Sequence, residues 1–343
     1  MVQAIVRELH ERKDYFQNKT VETIYFGGGT PSLLSDNELS LILDAVFQIY
    51  KVDTQAEITI ECNPEDLNSL KLEFLKSKGI NRLSIGIQTF DNTILKYLNR
   101  VHDSEQAVNA VKIAQSLGFV NITVDLMYAL PYSNLGILQK DLETAVSLNV
   151  PHISAYCFTL EEKTAFGKMV KQIKLLKNED IVEQEHYELL RKYLEINGYE
   201  QYEISNYARE GQYSRHNSAY WFGKHYLGIG PGAHSFNGIE RQWNISNNPL
   251  YIQKVLKGDK AFETETLSPA DKFNEGILTQ LRTKWGVNAE LLKVSSNADL
   301  FKIKHNEILK LKTSGLINQT ETHLYLTEKG KLLADGIVTE LMV

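Results

Sequence analysis

A glycine run, Gly27-Gly28-Gly29, followed by Thr30 and Pro31, stands directly after a β-rich segment and before a helical one. Bare backbone there can approach a ligand closely, and Thr30 adds a hydroxyl. The run does not match the Gly-x4-Gly-Lys phosphate loop, so by itself it reads equally well as a tight turn. Glu61 closes a second apolar run. A carboxylate in that place can accept two hydrogen bonds from a ribose diol, or it can pair with a neighbouring arginine. Gln88 and Asp125 end two further runs and also read as ordinary satisfied polar residues. Arg100, in Leu98-Asn99-Arg100-Val101-His102, has the fork geometry that clamps a carboxylate, or else it stands solvated at a helix end. His216 lies among aromatic residues in Arg215-His216-Asn217-Ser218-Ala219-Tyr220-Trp221. Imidazole is a good axial ligand for heme iron and flat rings suit a porphyrin face. The residues alone nevertheless favour a hydrogen-bonded core histidine.

The elements that must position these groups repeat. From Val21 to about Cys157, short β-rich runs alternate with longer helical ones, the pattern of a parallel sheet covered by helices. Taking 27, 61, 88, 125 and 157 as strand ends gives intervals of 34, 27, 37 and 32 residues. One strand–helix–strand step takes roughly 30. The spacing predicts helices over Ser35–Tyr50, Leu67–Lys78, Ser104–Leu117 and Leu135–Leu148, with Gly79 and Gly118 as C-terminal stops. Polar residues at strand ends of such a sheet face the mouth where ligands bind, so Gly28, Glu61, Gln88 and Asp125 point to one shared site. Beyond Cys157 come a charged stretch from Glu161 to Asp180, a helix over Glu183–Asn197 and an aromatic-rich run from Tyr199 to Trp221. A second glycine-rich segment, Gly228 to His234, follows. From about Leu267 onward, helices over Pro269–Arg282 and Ile303–Thr313 precede short strands at Leu316-Ile317 and Leu324–Leu326 and a final helix after Thr327. That order suggests a winged-helix-like module. It has no concentrated basic recognition helix, so a structural or partner role is expected rather than nucleic-acid binding.

With 343 residues and 43% hydrophobic content, the chain can bury one large domain and at least one smaller one. A net charge of −6 with mixed signs offers neither a basic face for nucleic acid nor a polybasic membrane anchor. Small or polar ligands are the expected partners. No signal-peptide core and no membrane-length apolar run is seen, which predicts a cytoplasmic location. The two cysteines, Cys62 and Cys157, lie in separate strand-like runs and read as buried structural thiols rather than a disulfide.

Taken together, six ordered segments resemble the oxygen-independent coproporphyrinogen III oxidase family of radical S-adenosylmethionine (SAM) proteins, and especially its HemW heme-chaperone branch. They are Tyr25–Pro31, Thr59–Pro64, Asn81–Phe90, Asp125–Pro131, Tyr202–Tyr207 and His216–Trp221. The resemblance runs over essentially the whole chain. It implies a partial parallel (β/α) barrel over 1–160 without its first strand, an accessory segment over 161–265 that completes the barrel and carries the heme motif, and a winged-helix-like domain over 266–343. It implies that Gly28, Gly29 and Thr30 hold the methionyl amino end of SAM, Glu61 its ribose, and Gln88, Arg100 and Asp125 the rest of the ligand. His216 matches the histidine that the chaperone branch associates with heme.

One departure follows from the same resemblance. The family holds a [4Fe–4S] cluster with a Cys-x3-Cys-x2-Cys run just upstream of the first barrel helix, where this sequence starts. Cys62 and Cys157, 95 residues apart, cannot replace three clustered thiolates. The sequence thus reads as an N-terminally truncated member: a late start codon, a trimmed chain or a remnant gene. The function implied for the intact form is to bind heme and pass it to acceptor proteins, using SAM and the cluster, with membrane contact only through an acceptor. The alternative is an enzyme, the oxidative decarboxylation of coproporphyrinogen III in heme synthesis.

Overall fold

The computed structural model describes residues 1–17, 19–159 and 180–343. The charged stretch from Glu161 lies outside them up to residue 179. In chain order the first helix is α1 (Val2–Glu11), followed by β1 (Val21–Phe26), α2 (Asp36–Ile49), β2 (Val52–Cys62), α3 (Ser69–Ser77), β3 (Arg82–Gln88), α4 (Asn92–Tyr97), α5 (Ser104–Ser116), β4 (Asn121–Tyr128), α6 (Leu135–Ser147) and β5 (His152–Cys157). Then come α7 (Asp180–Ile196), the strands β6 (Glu200–Glu203) and β7 (Asn206–Ala208), and α8 (Arg215–Trp221). The four helices expected between the strands are present within one or two residues of their predicted ends, and Gly79 and Gly118 stop α3 and α5 in left-handed conformation.

The chain forms two compact units, one of Met1–Ile24, Leu34–Glu57 and Ser214–Val343, the other of Tyr25–Leu33 and Ile58–Tyr213. The strands form one seven-stranded sheet in the order β1-β2-β3-β4-β5-β7-β6. From β2 to β5 the pairing is parallel; the β6–β7 hairpin then adds antiparallel strands to the edge of β5. Parallel strands covered by helices bury both faces. Accordingly β3 hides Leu83, Ile85 and Ile87 completely, and even its first residue, Arg82, is buried, donating to Asn121 and Thr123. Cys62 is buried as expected, whereas Cys157, the last residue of β5, is only part-buried, next to the exposed Tyr156.

Within the other unit, α1 carries a carboxylate into the interior. Glu8, 4% exposed, accepts from Tyr251 Oη (2.5 Å), Asn244 Nδ2 (2.7 Å) and the Gly230 N–H (2.9 Å), with Arg12 beside it at 3.6 Å. The second glycine-rich segment is therefore part of a buried polar network. It leads into a three-stranded antiparallel sheet, His234–Phe236, Glu240–Asn244 and Phe262–Thr266. At the C-terminal end, helices Pro269–Gln280, Ala289–Ser296 and His305–Thr313 share a core around Phe273, Ile277, Leu292, Leu311 and Leu324 with a small antiparallel sheet, the winged-helix-like order expected. Each such side chain contributes about 1.5–3 kcal/mol on burial. No helix among the described residues is long and apolar enough to cross a membrane.

Candidate functional site

Gly28, Gly29 and Thr30 follow β1, and Glu61 and Gln88 lie at the C-terminal ends of β2 and β3; Asp125, expected to end its strand, lies within β4, which runs on to Tyr128. After β1 the backbone turns through Gly28 (φ +76) and Gly29 (φ +74), and no atom of the described residues lies within 4 Å of where a Cβ would stand on either. Two consecutive left-handed residues are accessible only to glycine, and here they leave an open, side-chain-free cradle ahead of Thr30. Glu61, near the end of β2, accepts from the Gly28 N–H at 3.1 Å and from Tyr25 Oη at 2.7 Å. Its partners are thus a tyrosine and backbone, not the arginine allowed from sequence. Burial first, and then the charge and hydrogen bond of Glu61, hold the Tyr25 phenol far above its usual range, so Tyr25 stays a donor.

On the next strands, Asp125 pairs in register with Gly86 and accepts from Ser84 Oγ at 2.8 Å. Desolvation raises its carboxyl to about 6, opposed by the Ser84 and Ser154 hydroxyls and reinforced by the charge of Glu61. Arg100 does not stand solvated. Its Nη2 donates to the Gly86 carbonyl (2.7 Å) and Asn63 Oδ1 (3.1 Å), while its Nε is buried and finds no partner among the described residues. A Cβ on Gly86 would lie 3.1 Å from Gln88 Nε2 and 3.3 Å from Arg100 Nη2, so both side chains crowd this glycine.

His216 belongs to the other unit. It opens α8, whose first N–H groups are anchored by Glu57 of β2: the carboxylate accepts from the Arg215 and His216 amides at 3.1 and 2.9 Å. Its ring lies between Thr23 Oγ1 (Nδ1, 2.9 Å) and Tyr220 Oη (Nε2, 3.2 Å), one turn further along the helix. Burial lowers its pKa to about 4, leaving a neutral imidazole at pH 7. Tyr25 and Glu57 escaped the sequence reading. The one available signal for Glu57 was a carboxylate inside the apolar run of β2.

Residues 2–145 match the radical SAM superfamily and residues 267–333 the HemN C-terminal domain. The heme chaperone HemW of Bacillus subtilis is 34% identical over 319 residues, 92% of this chain and 84% of that protein. The chain belongs to the HemW heme-chaperone family of radical SAM proteins. HemW of Lactococcus lactis is 32% identical over all of this chain and 90% of its own. HemW of Escherichia coli is 39% identical over a shorter stretch, 68% of this chain and 61% of that one. Coproporphyrinogen III oxidase (HemN) from Escherichia coli superposes with a TM-score of 0.87 over 99% of this chain and 82% of its own at 22% identity, which establishes the radical SAM fold.

Radical SAM membership implies S-adenosylmethionine and a [4Fe–4S] cluster. The first fits the residues present: an open glycine cradle, a carboxylate at Glu61 for a diol, and an unpartnered guanidinium nitrogen at Arg100 for a carboxylate. The second does not. Burial raises the Cys62 thiol far above its usual range and that of Cys157 to about 11. No three His, Cys, Asp or Glu side chains among the described residues stand together as a metal site.

Proposed function

We propose that this HemW-family chain binds heme at His216 and delivers it to acceptor proteins, and that the mouth formed by Gly28, Gly29, Thr30, Glu61, Gln88, Arg100 and Asp125 holds S-adenosylmethionine. The observation that carries the heme reading is the state of His216. Burial keeps the ring neutral, the form that ligates iron, and its Nε2 lies 3.2 Å from the hydroxyl of Tyr220, a partly exposed residue one helical turn away. Iron at Nε2 would take the place of the Tyr220 contact while Thr23 orients the ring through Nδ1. At the mouth, Glu61 orients the ribose diol, Arg100 takes the methionyl carboxylate with its free Nε edge, and the glycine cradle lets the chain approach the amino end. S-adenosylmethionine supplies those three groups when bound.

The test is a heme titration of the full chain with coproporphyrinogen III turnover measured in parallel. One heme per chain with a single Soret transition supports a chaperone, and its absence removes that reading. Decarboxylation without stoichiometric heme uptake assigns the chain to the enzymatic alternative.

A further inference from the structure

Gln88 ends β3 in an unusual backbone state. Its φ is +73, and the Thr89 N–H donates back to the Ile87 carbonyl at 3.0 Å, closing a γ-turn around it. The pairing with β4 slips at the same place, Gly86 facing Asp125 and Gln88 facing Leu126. A non-glycine residue in such a turn is strained and persists only where its surroundings over-determine it.

Two buried side chains do so. On the upstream side, the Ile87 carbonyl also meets His102 Nε2 at 3.2 Å; a carbonyl can only accept, so the imidazole donates. The other ring nitrogen of His102 faces Glu65 Oε2 at 2.9 Å, in the short turn after β2, and the histidine side chain is 0% exposed. On the downstream side, Asp141 of α6 accepts from Thr89 Oγ1 and from the Phe90 N–H, each at 2.7 Å. Thr89 Oγ1 in turn accepts from the Asp91 N–H. Glycine would relieve the strain at position 88, yet the chain keeps a glutamine there, its amide beside Arg100 at Gly86.

We propose that His102 and Asp141 are positioning residues, clamps on either side of the Gln88 turn that hold its amide next to Arg100 for the bound S-adenosylmethionine. The proposal rests on the assignment of Gln88 and Arg100 to that ligand. It is tested by calorimetric titration of the full chain with S-adenosylmethionine for wild type, Gln88→Gly, His102→Ala and the double variant, alongside amide hydrogen exchange at Thr89 and Phe90. Because His102 acts through Gln88, each single change should raise Kd about tenfold, and the double variant should bind no more weakly than Gln88→Gly alone. Exchange at both amides should accelerate at least about tenfold in His102→Ala and Asp141→Ala, and Asp141→Asn, which keeps an acceptor for Phe90, should restore most of the protection. His102→Gln replaces the alanine variant should the latter not fold. Losses that add fully in the double variant would show a general structural role and overturn the proposal, as would Gln88→Gly binding as tightly as wild type. If wild type takes up no S-adenosylmethionine, the ligand assignment itself fails. Unchanged exchange at Thr89 and Phe90 in both alanine variants removes the clamps independently of any ligand.

Discussion

Glu57 holds His216 by its backbone: the strand carboxylate accepts the His216 N–H at 2.9 Å across 159 positions of sequence, and the preceding amide, of Arg215, at 3.1 Å. The proposed heme ligand is therefore set by β2 as well as by its own helix. Glu57→Ala leaves two amides at the positive end of α8 without an acceptor, and the expected cost is about 1–3 kcal/mol of stability together with weaker heme binding. Denaturant midpoints and a heme titration on the same variant check it. An unchanged midpoint would mean that water replaces the carboxylate at no cost.

Glu61 is predicted to matter to the ligand more than to the fold. Glu61→Ala removes the diol acceptor and strands the Tyr25 hydroxyl, so the affinity for S-adenosylmethionine should fall by about 1–3 kcal/mol. Calorimetry reads this directly, and undiminished binding removes Glu61 from the pocket.

Asp125 gives the fold a pH dependence of definite sign. Its folded-state pKa, raised to about 6 from 3.8 mainly by desolvation, means the folded chain binds the proton more tightly than the unfolded one. Its contribution to stability is thus lost as pH rises from about 4 to about 6, by on the order of 3 kcal/mol. Asp125→Asn should flatten that part of the stability curve. Identical pH profiles for the two proteins would contradict the assignment.

Glu8 is the buried charge whose removal should harm the fold most. Glu8→Ala leaves Tyr251, Asn244, the Gly230 amide and Arg12 without their shared acceptor, and a loss of about 3–5 kcal/mol is expected. Thermal unfolding of the variant measures it, and a loss below about 1 kcal/mol would show that the network re-forms around water.

Much of the fold was legible because its signals are local. The periodic run from Ser104 to Ser116, with an aspartate cap before it and Gly118 after it, announces a helix without help from the rest of the chain. Glu61 and Gln88 were legible as strand-end residues because a polar group closes each apolar run, whereas β4 continues three residues past Asp125. What stayed hidden depends on pairing across long separations or on unadvertised strain. Thr23 and Glu57 meet the His216 residue from 193 and 159 positions away, and nothing local in the sequence names that partner for either. The left-handed turn at Gln88 is equally silent, because a glutamine does not signal positive φ as a glycine would. The strands at 234–236, 240–244 and 262–266 are too short to show an alternating pattern within a glycine-rich stretch.

The claim on which the account turns is that heme iron is held by His216. Soret spectra of wild type and His216→Ala, titrated with heme at pH 7 and again at pH 5, test it most directly. Because the ring titrates at about 4, the wild-type complex should persist at pH 5, where an ordinary imidazole would be protonated. The alanine variant should lose that Soret band and at least about tenfold in affinity at both pH values. Superimposable spectra and affinities for the two proteins would contradict the account and leave His216 as a residue of the fold alone.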